Sequence, residues 1–134
     1  MINLADLERV LKGVTGRPRV VCAGSGATPL PLLDAVDRCL ETWRFACVNA
    51  PVGVPTRKGV IHQTVFIGPG SRHAENLEYV PCRLSLAPRL YEDRFAPDIL
   101  LLHTSTPHNG AVSMGIEVQV LPLSLIHISE PTRP

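Results

Sequence analysis

The run Val20-Val21-Cys22-Ala23, between Arg19 and Gly24, is apolar at every position, without the alternation of a half-exposed strand. Continuous apolarity predicts a strand covered on both faces, the habit of parallel sheets. Gly24-Ser25-Gly26-Ala27-Thr28-Pro29 follows directly. Thr28 is the expected helix N-cap, with Pro29 at the first helical position and Pro31 still inside the first turn. Leu32, Leu33, Val36, Leu40 and Trp43 then recur at helical spacing, with Asp34, Asp37, Arg38 and Glu41 on the opposite side. Strand, glycine turn and helix make half of a βαβ unit, so the chain reads as an α/β protein.

The remaining segments extend this pattern. Asn3 to Gly13 predicts a short amphipathic helix, with Leu4, Leu7 and Leu11 on one face. Phe45 to Val48 is a second apolar run, leading into a loop over Asn49-Ala50-Pro51-Val52-Gly53-Val54-Pro55. Gln63 to Ile67 is a third strand, stopped by Gly68-Pro69-Gly70, and Ser71 to Tyr79 reads as a short helix. Pro81 and Pro88 restrict the next stretch, which takes no assignment. Pro97 to Thr104 is the clearest strand after the first and runs into a loop at Ser105 to Gly110. Val112 to Val120 reads as a strand or an extended lead into a helix.

Composition excludes several functions. A formal net charge of +1 gives no electrostatic reason to expect nucleic acid or an anionic membrane as partner. Neither a membrane-length apolar run nor a secretory leader pattern is present, and the expected location is the cytoplasm. The four cysteines, Cys22, Cys39, Cys47 and Cys82, form no CxxC pair and are expected to be reduced, structural thiols. His62, His73, His103 and His108 lack metal-ligand spacing, so no metal is expected. Arg72 and Arg83 could meet a phosphate, but solvated arginine is the default, and Asp98 reads as a strand-edge residue.

Gly24-Ser25-Gly26 is the strongest candidate site on physical grounds. Small residues let a ligand approach the backbone, the helix start offers N–H groups, and open α/β sheets bind ligands at the carboxyl ends of their strands. The competing reading is a tight strand-to-helix turn with no ligand. A dinucleotide fingerprint fails because Pro29 stands at the third glycine position, and no Gly-Lys-Ser/Thr follows for a Walker A loop. A serine hydrolase is disfavoured too. Gly110-Ala111-Val112-Ser113-Met114-Gly115 is not a G-x-S-x-G elbow, and Ser25 lacks the pattern as well.

Segments taken in order resemble the acetyl-CoA hydrolase/CoA-transferase family, which includes 4-hydroxybutyrate and acetate CoA-transferases. They are Val20 to Pro29 with the Leu32–Leu33 helix, Phe45 to Gly53, His62 to Arg72, Tyr79 to Ser85, Pro97 to Thr104, and Asn109-Gly110 to Val118. The resemblance implies a Rossmann-like domain with a mostly parallel sheet, the first of two in the family's subunit. It implies coenzyme A as substrate with no further cofactor, a small carboxylic acid or water as acceptor, and a homo-oligomer. The family's glutamate nucleophile lies in its second domain. Glu117 does not match it, so no catalytic residue is carried over. Gly24, Ser25 and Gly26 match a loop facing the family's cleft. Asn49 and Ala50 match another loop, with Pro51 where the family has a small polar residue. Ser113 and Gly115 match the segment leading to the second domain.

Leu123 to Pro134 breaks the preceding pattern and resembles a translated sequencing-library adapter. The expectation is therefore a truncated N-terminal domain over 1–122 and a non-native tail over 123–134, inactive alone. The alternative is a free-standing nucleotide-binding or regulatory α/β domain using Gly24 to Thr28.

Overall fold

A computed structural model describes residues 4–114 and 119–122. Among them, five strands form one all-parallel sheet: β1 (Arg19–Cys22), β2 (Trp43–Ala46), β3 (Val60–Thr64), β4 (Asn76–Tyr79) and β5 (Ile99–Leu101). Their spatial order is β4-β3-β2-β1-β5. The helices are α1 (Leu4–Lys12), α2 (Leu30–Cys39) and α3 (Ala87–Glu92). The α/β class read from the sequence is the class of the fold.

Register assigns the two faces of the sheet. Val20, Cys22, Trp43, Phe45, Val60, His62 and Leu101 alternate onto one face. There they join Leu11 of α1 and Leu33, Val36 and Leu40, from α2 and its end, in one buried cluster. Val21, Ala23, Ala46 and Val65 occupy the other face, covered by Ala87, Tyr91, Val120 and Leu121.

Several boundaries differ from the sequence reading. The α2 helix starts one residue late: Pro29 is the N-cap residue and Pro31 falls at the second position. Thr28 does not cap, because its hydroxyl points back to the carbonyls of Ala23 (3.0 Å) and Ser25 (3.1 Å). Trp43 lies in β2, not on the helix face. Arg57 ends the helix before it, donating to the carbonyls of Asp37, Leu40 and Glu41 and so satisfying the helix's last acceptors. Strand β3 begins at Val60 and stops at Thr64. There the Thr64 hydroxyl bonds to the Cys47 and Phe66 carbonyls and accepts from the Phe66 N–H, bending the chain out of the ladder. Ser71 to Tyr79 is not a helix: one 3-10 turn at Ser71–His73 gives way to β4, whose backbone pairs with β3. Tertiary pairing overrides local preference there.

Candidate functional site

Strands β1 to β4 are laid down successively on one side of β1, and β5 joins on the other. The strand order therefore reverses between β1 and β5, the place where open α/β sheets leave a crevice beyond the carboxyl ends. A crevice of about 380 Å³ lies there, lined by Thr28, Pro29, Pro31, Leu32, Leu102, His103 and Thr104. A larger depression of about 610 Å³ sits at the opposite end, among Arg17, Glu41, Arg57, Lys58 and Glu78. Arg57 is occupied there in closing α2, and the amino ends of parallel strands are not where such sheets bind ligands. The smaller crevice is the better candidate.

The loops after β1, β2 and β3 converge on one another. Ser25 donates its backbone N–H to the Asn49 carbonyl (3.1 Å), and the Asn49 side-chain amide donates to the Ser25 hydroxyl (2.8 Å). Both residues have positive φ, Ser25 at 50° and Asn49 at 59°. Ala50 accepts from the Gly70 N–H at 2.9 Å. Four of the sequence-derived residues, Gly24, Ser25, Asn49 and Ala50, are thus brought together by bonds or close packing, with Gly26 in the same turn.

The two glycines of the first turn serve different ends. A Cβ on Gly24 would overlap the Val48 carbonyl oxygen, whereas one on Gly26 would meet nothing within 4 Å. Gly24 is small so that two loops can touch, and only Gly26 faces open space. Most of the expected supply of free N–H groups is also spent. The Gly24 N–H donates to the Gln119 side chain (3.0 Å), those of Ala27 and Thr28 to carbonyls within the turn, and those of Leu30, Leu32 and Leu33 to Thr28 and Pro29. Pro29 and Pro31 have none to give. This helix start is poorly equipped to hold a phosphate.

Ser113 is placed with Ser105: its N–H donates to the Ser105 hydroxyl (3.0 Å), and its carbonyl accepts from the Ser105 N–H (2.8 Å). Gly115 and Glu117 lie outside the described residues. His103 and Thr104 were missed as site residues. Their signal was in the sequence: they end the second clear strand, where the carboxyl-end rule applies.

The other titratable candidates are structural. His62 is fully buried beside Phe45, with Nε2 2.8 Å from the Pro55 carbonyl and Nδ1 3.0 Å from the Ser71 hydroxyl. A carbonyl only accepts, so Nε2 carries the proton and Ser71 donates to Nδ1. Burial pulls the His62 pKa below its ordinary value, partly offset by the Pro55 bond. Ser71 beside a histidine has the outline of an activated nucleophile, but at 1% exposed it is sealed in the core, where its hydroxyl serves the His62 ring. The Cys47 thiol is held well above its usual pKa by the neighbouring Cys22 thiol and by burial. Arg72, His73, Arg83 and His108 are exposed. Asp98 clasps Arg19 just before β5, accepting its N–H on a carboxylate oxygen at 2.7 Å and donating its own N–H to the Arg19 carbonyl at 2.9 Å.

Among the described residues no group of three or more potential ligands could hold a metal ion. No helix there is long and apolar enough to cross a membrane. Comparison with known proteins brings no relative: no family model, curated protein or solved structure matches the chain.

Proposed function

We propose that this chain supplies the first-domain wall of the active-site cleft in an acyl-CoA hydrolase/CoA-transferase, moving CoA between small carboxylic acids or to water. The supporting observation is the crevice at the strand-order reversal, whose lining among the described residues has no lysine or arginine and whose helix end has most of its N–H groups spent. Such a crevice suits an uncharged segment, the acyl–pantetheine arm of an acyl-CoA, better than a diphosphate. Thr104 and His103 supply polar atoms at its rim, and Gly26 leaves the approach open. The carboxylate that attacks the thioester belongs to the second domain of the resembled family. The chain alone is therefore expected to bind weakly and to turn nothing over. The same spent N–H groups weigh against a free-standing nucleotide-binding domain.

Titrating the ¹⁵N-labelled chain with acetyl-CoA, and separately with ADP, tests this reading. Amides of Gly26, Leu102, His103 and Thr104 are expected to shift with acetyl-CoA and not with ADP. Equal shifts with ADP centred on Gly24 to Thr28 would favour the nucleotide-binding domain, and no shift with either would reject both.

A further inference from the structure

Cys22 and Cys47 are distant in sequence, and the sheet makes them neighbours. The β1–β2 register runs through Val20↔Phe45 and Val21↔Ala46, so the next step sets Cys22 beside Cys47. Alternation puts both on the face covered by α1 and α2, where both belong to the buried cluster with Val20, Phe45 and Leu101. They are 0% and 2% exposed, and the Cys47 thiol donates to the Val48 carbonyl at 3.7 Å. Both are free thiols. Cys22 leads into Ala23-Gly24 and Cys47 into Val48-Asn49, so the pair lies directly under the joined loops of the candidate site.

A zinc site would need about four ligands, and no such group exists among the described residues. Two sulfurs in an apolar core instead suit a thiophilic ion that is satisfied by two ligands. We propose that Cys22 and Cys47 form a two-coordinate site for divalent mercury. Each thiol releases its proton, two S–Hg bonds form, and the water or chloride on the ion departs, with no electron transferred. The product, a bis-thiolate of Hg(II), carries no net charge. Copper(I) or silver(I) on the same sulfurs would leave one negative charge, which an apolar core penalises heavily. Charge therefore selects the divalent ion over the monovalent ones. Bridging must adjust the ends of β1 and β2, so occupancy is felt in the loops above.

The test uses the full chain carrying Cys39→Ser and Cys82→Ser, loaded with mercuric chloride against excess reduced glutathione. The expected result is one mercury per chain by native mass spectrometry, retained against glutathione, with amide shifts at Gly24 and Asn49 and the fold intact. Adding Cys47→Ala should abolish retention. Stripping by glutathione, or binding only with loss of the folded amide spectrum, would overturn the proposal. Should Cys47→Ala fail to fold, the unmodified chain decides. After loading and removal of excess metal, unfolding in urea with iodoacetamide should alkylate Cys39 and Cys82 and spare Cys22 and Cys47. Alkylation of Cys22 and Cys47 would overturn it.

Discussion

The two faces of the sheet are built differently. The face under α1 and α2 gathers residues from the first half of the chain, joined by Leu101 of β5, into an aliphatic and aromatic layer, with Trp43 edge-on to Phe45 and Phe45 edge-on to His62. Its polar atoms are satisfied by near neighbours: the Trp43 indole N–H donates to Asp37 (3.1 Å), and His62 is held by Pro55 and Ser71. The other face needs distant parts of the chain, α3 and the Val120–Leu121 segment, and carries a polar band across it. There Arg19 bonds Gln63 (2.9 Å), Gln63 bonds Glu78 (3.0 Å), and the guanidinium also reaches the carbonyls of Arg94 and Ala96 and lies over Phe95. One face is a local core; the other is a clasp.

If that contrast is right, the largest single loss comes from the local core. Trp43→Ala removes a fully buried indole and leaves Asp37 without that donor. A loss of about 3–5 kcal/mol is expected, read as a fall in the urea midpoint. A change under about 1 kcal/mol would mean that the face collapses freely around the hole, which close packing does not allow. On the clasp side, Arg19→Met keeps length and apolar bulk but strips the donors to Gln63, Arg94 and Ala96. About 1.5–3 kcal/mol is the scale for bonds to a charged group, and the partial exposure of Arg19 argues for the lower end. The sharper readout is position: amide exchange should quicken around 94–98 and leave α2 unchanged. Arg19→Lys should not restore it, because an ammonium cannot span the same set of acceptors.

This contrast also explains what the sequence made legible. The α/β class, β1, α1, β5 and the turn at Gly24 were readable because their signals are local: unbroken apolarity, helical spacing, glycine after a strand. Trp43 was placed on α2 because its spacing fits a helix; Arg57, fourteen residues on, decides otherwise by closing α2 from outside. Asn76-Leu77-Glu78-Tyr79 does alternate polar and apolar, but four residues are a weak signal inside a stretch that reads as helix, and pairing with β3 decides for the strand. The candidate site was legible in part. Residues from two loops converge as expected, yet His103 and Thr104 join the crevice only through a strand order that no local pattern encodes. The N–H groups expected at the helix start are few because Pro29 and Pro31 have none to give, which the sequence itself shows, and Leu30, Leu32 and Leu33 spend theirs on the carbonyls of Thr28 and Pro29.

At the boundary between the faces, the two glycines of the first turn separate packing from function. Gly24→Ala drives a methyl group into the Val48 carbonyl. Overpacking of this kind costs about 1–3 kcal/mol, visible in the thermal midpoint. Gly26→Ala has open space and no left-handed φ to lose. It should be neutral or raise stability by about 0.4–1 kcal/mol through the unfolded chain, while weakening the acetyl-CoA shifts. Equal destabilisation by both would erase the distinction drawn between them.

The smallest expected effect concerns His62, buried in the local core. Burial lowers the folded-state pKa of His62 below the ordinary value of 6.5. Between that lowered value and 6.5 the unfolded chain binds a proton that the folded chain refuses. Stability is then full above about pH 6.5, falls as pH drops toward the folded-state pKa, and levels off below it. Urea midpoints at a series of pH values down from neutrality should fall accordingly, and His62→Gln, which cannot titrate, should flatten that part of the slope. The clasp offers a control: Arg19 stays charged throughout this range, so Arg19→Met should shift the whole curve without changing its shape. A slope that survives His62→Gln would move the acid sensitivity out of the local core.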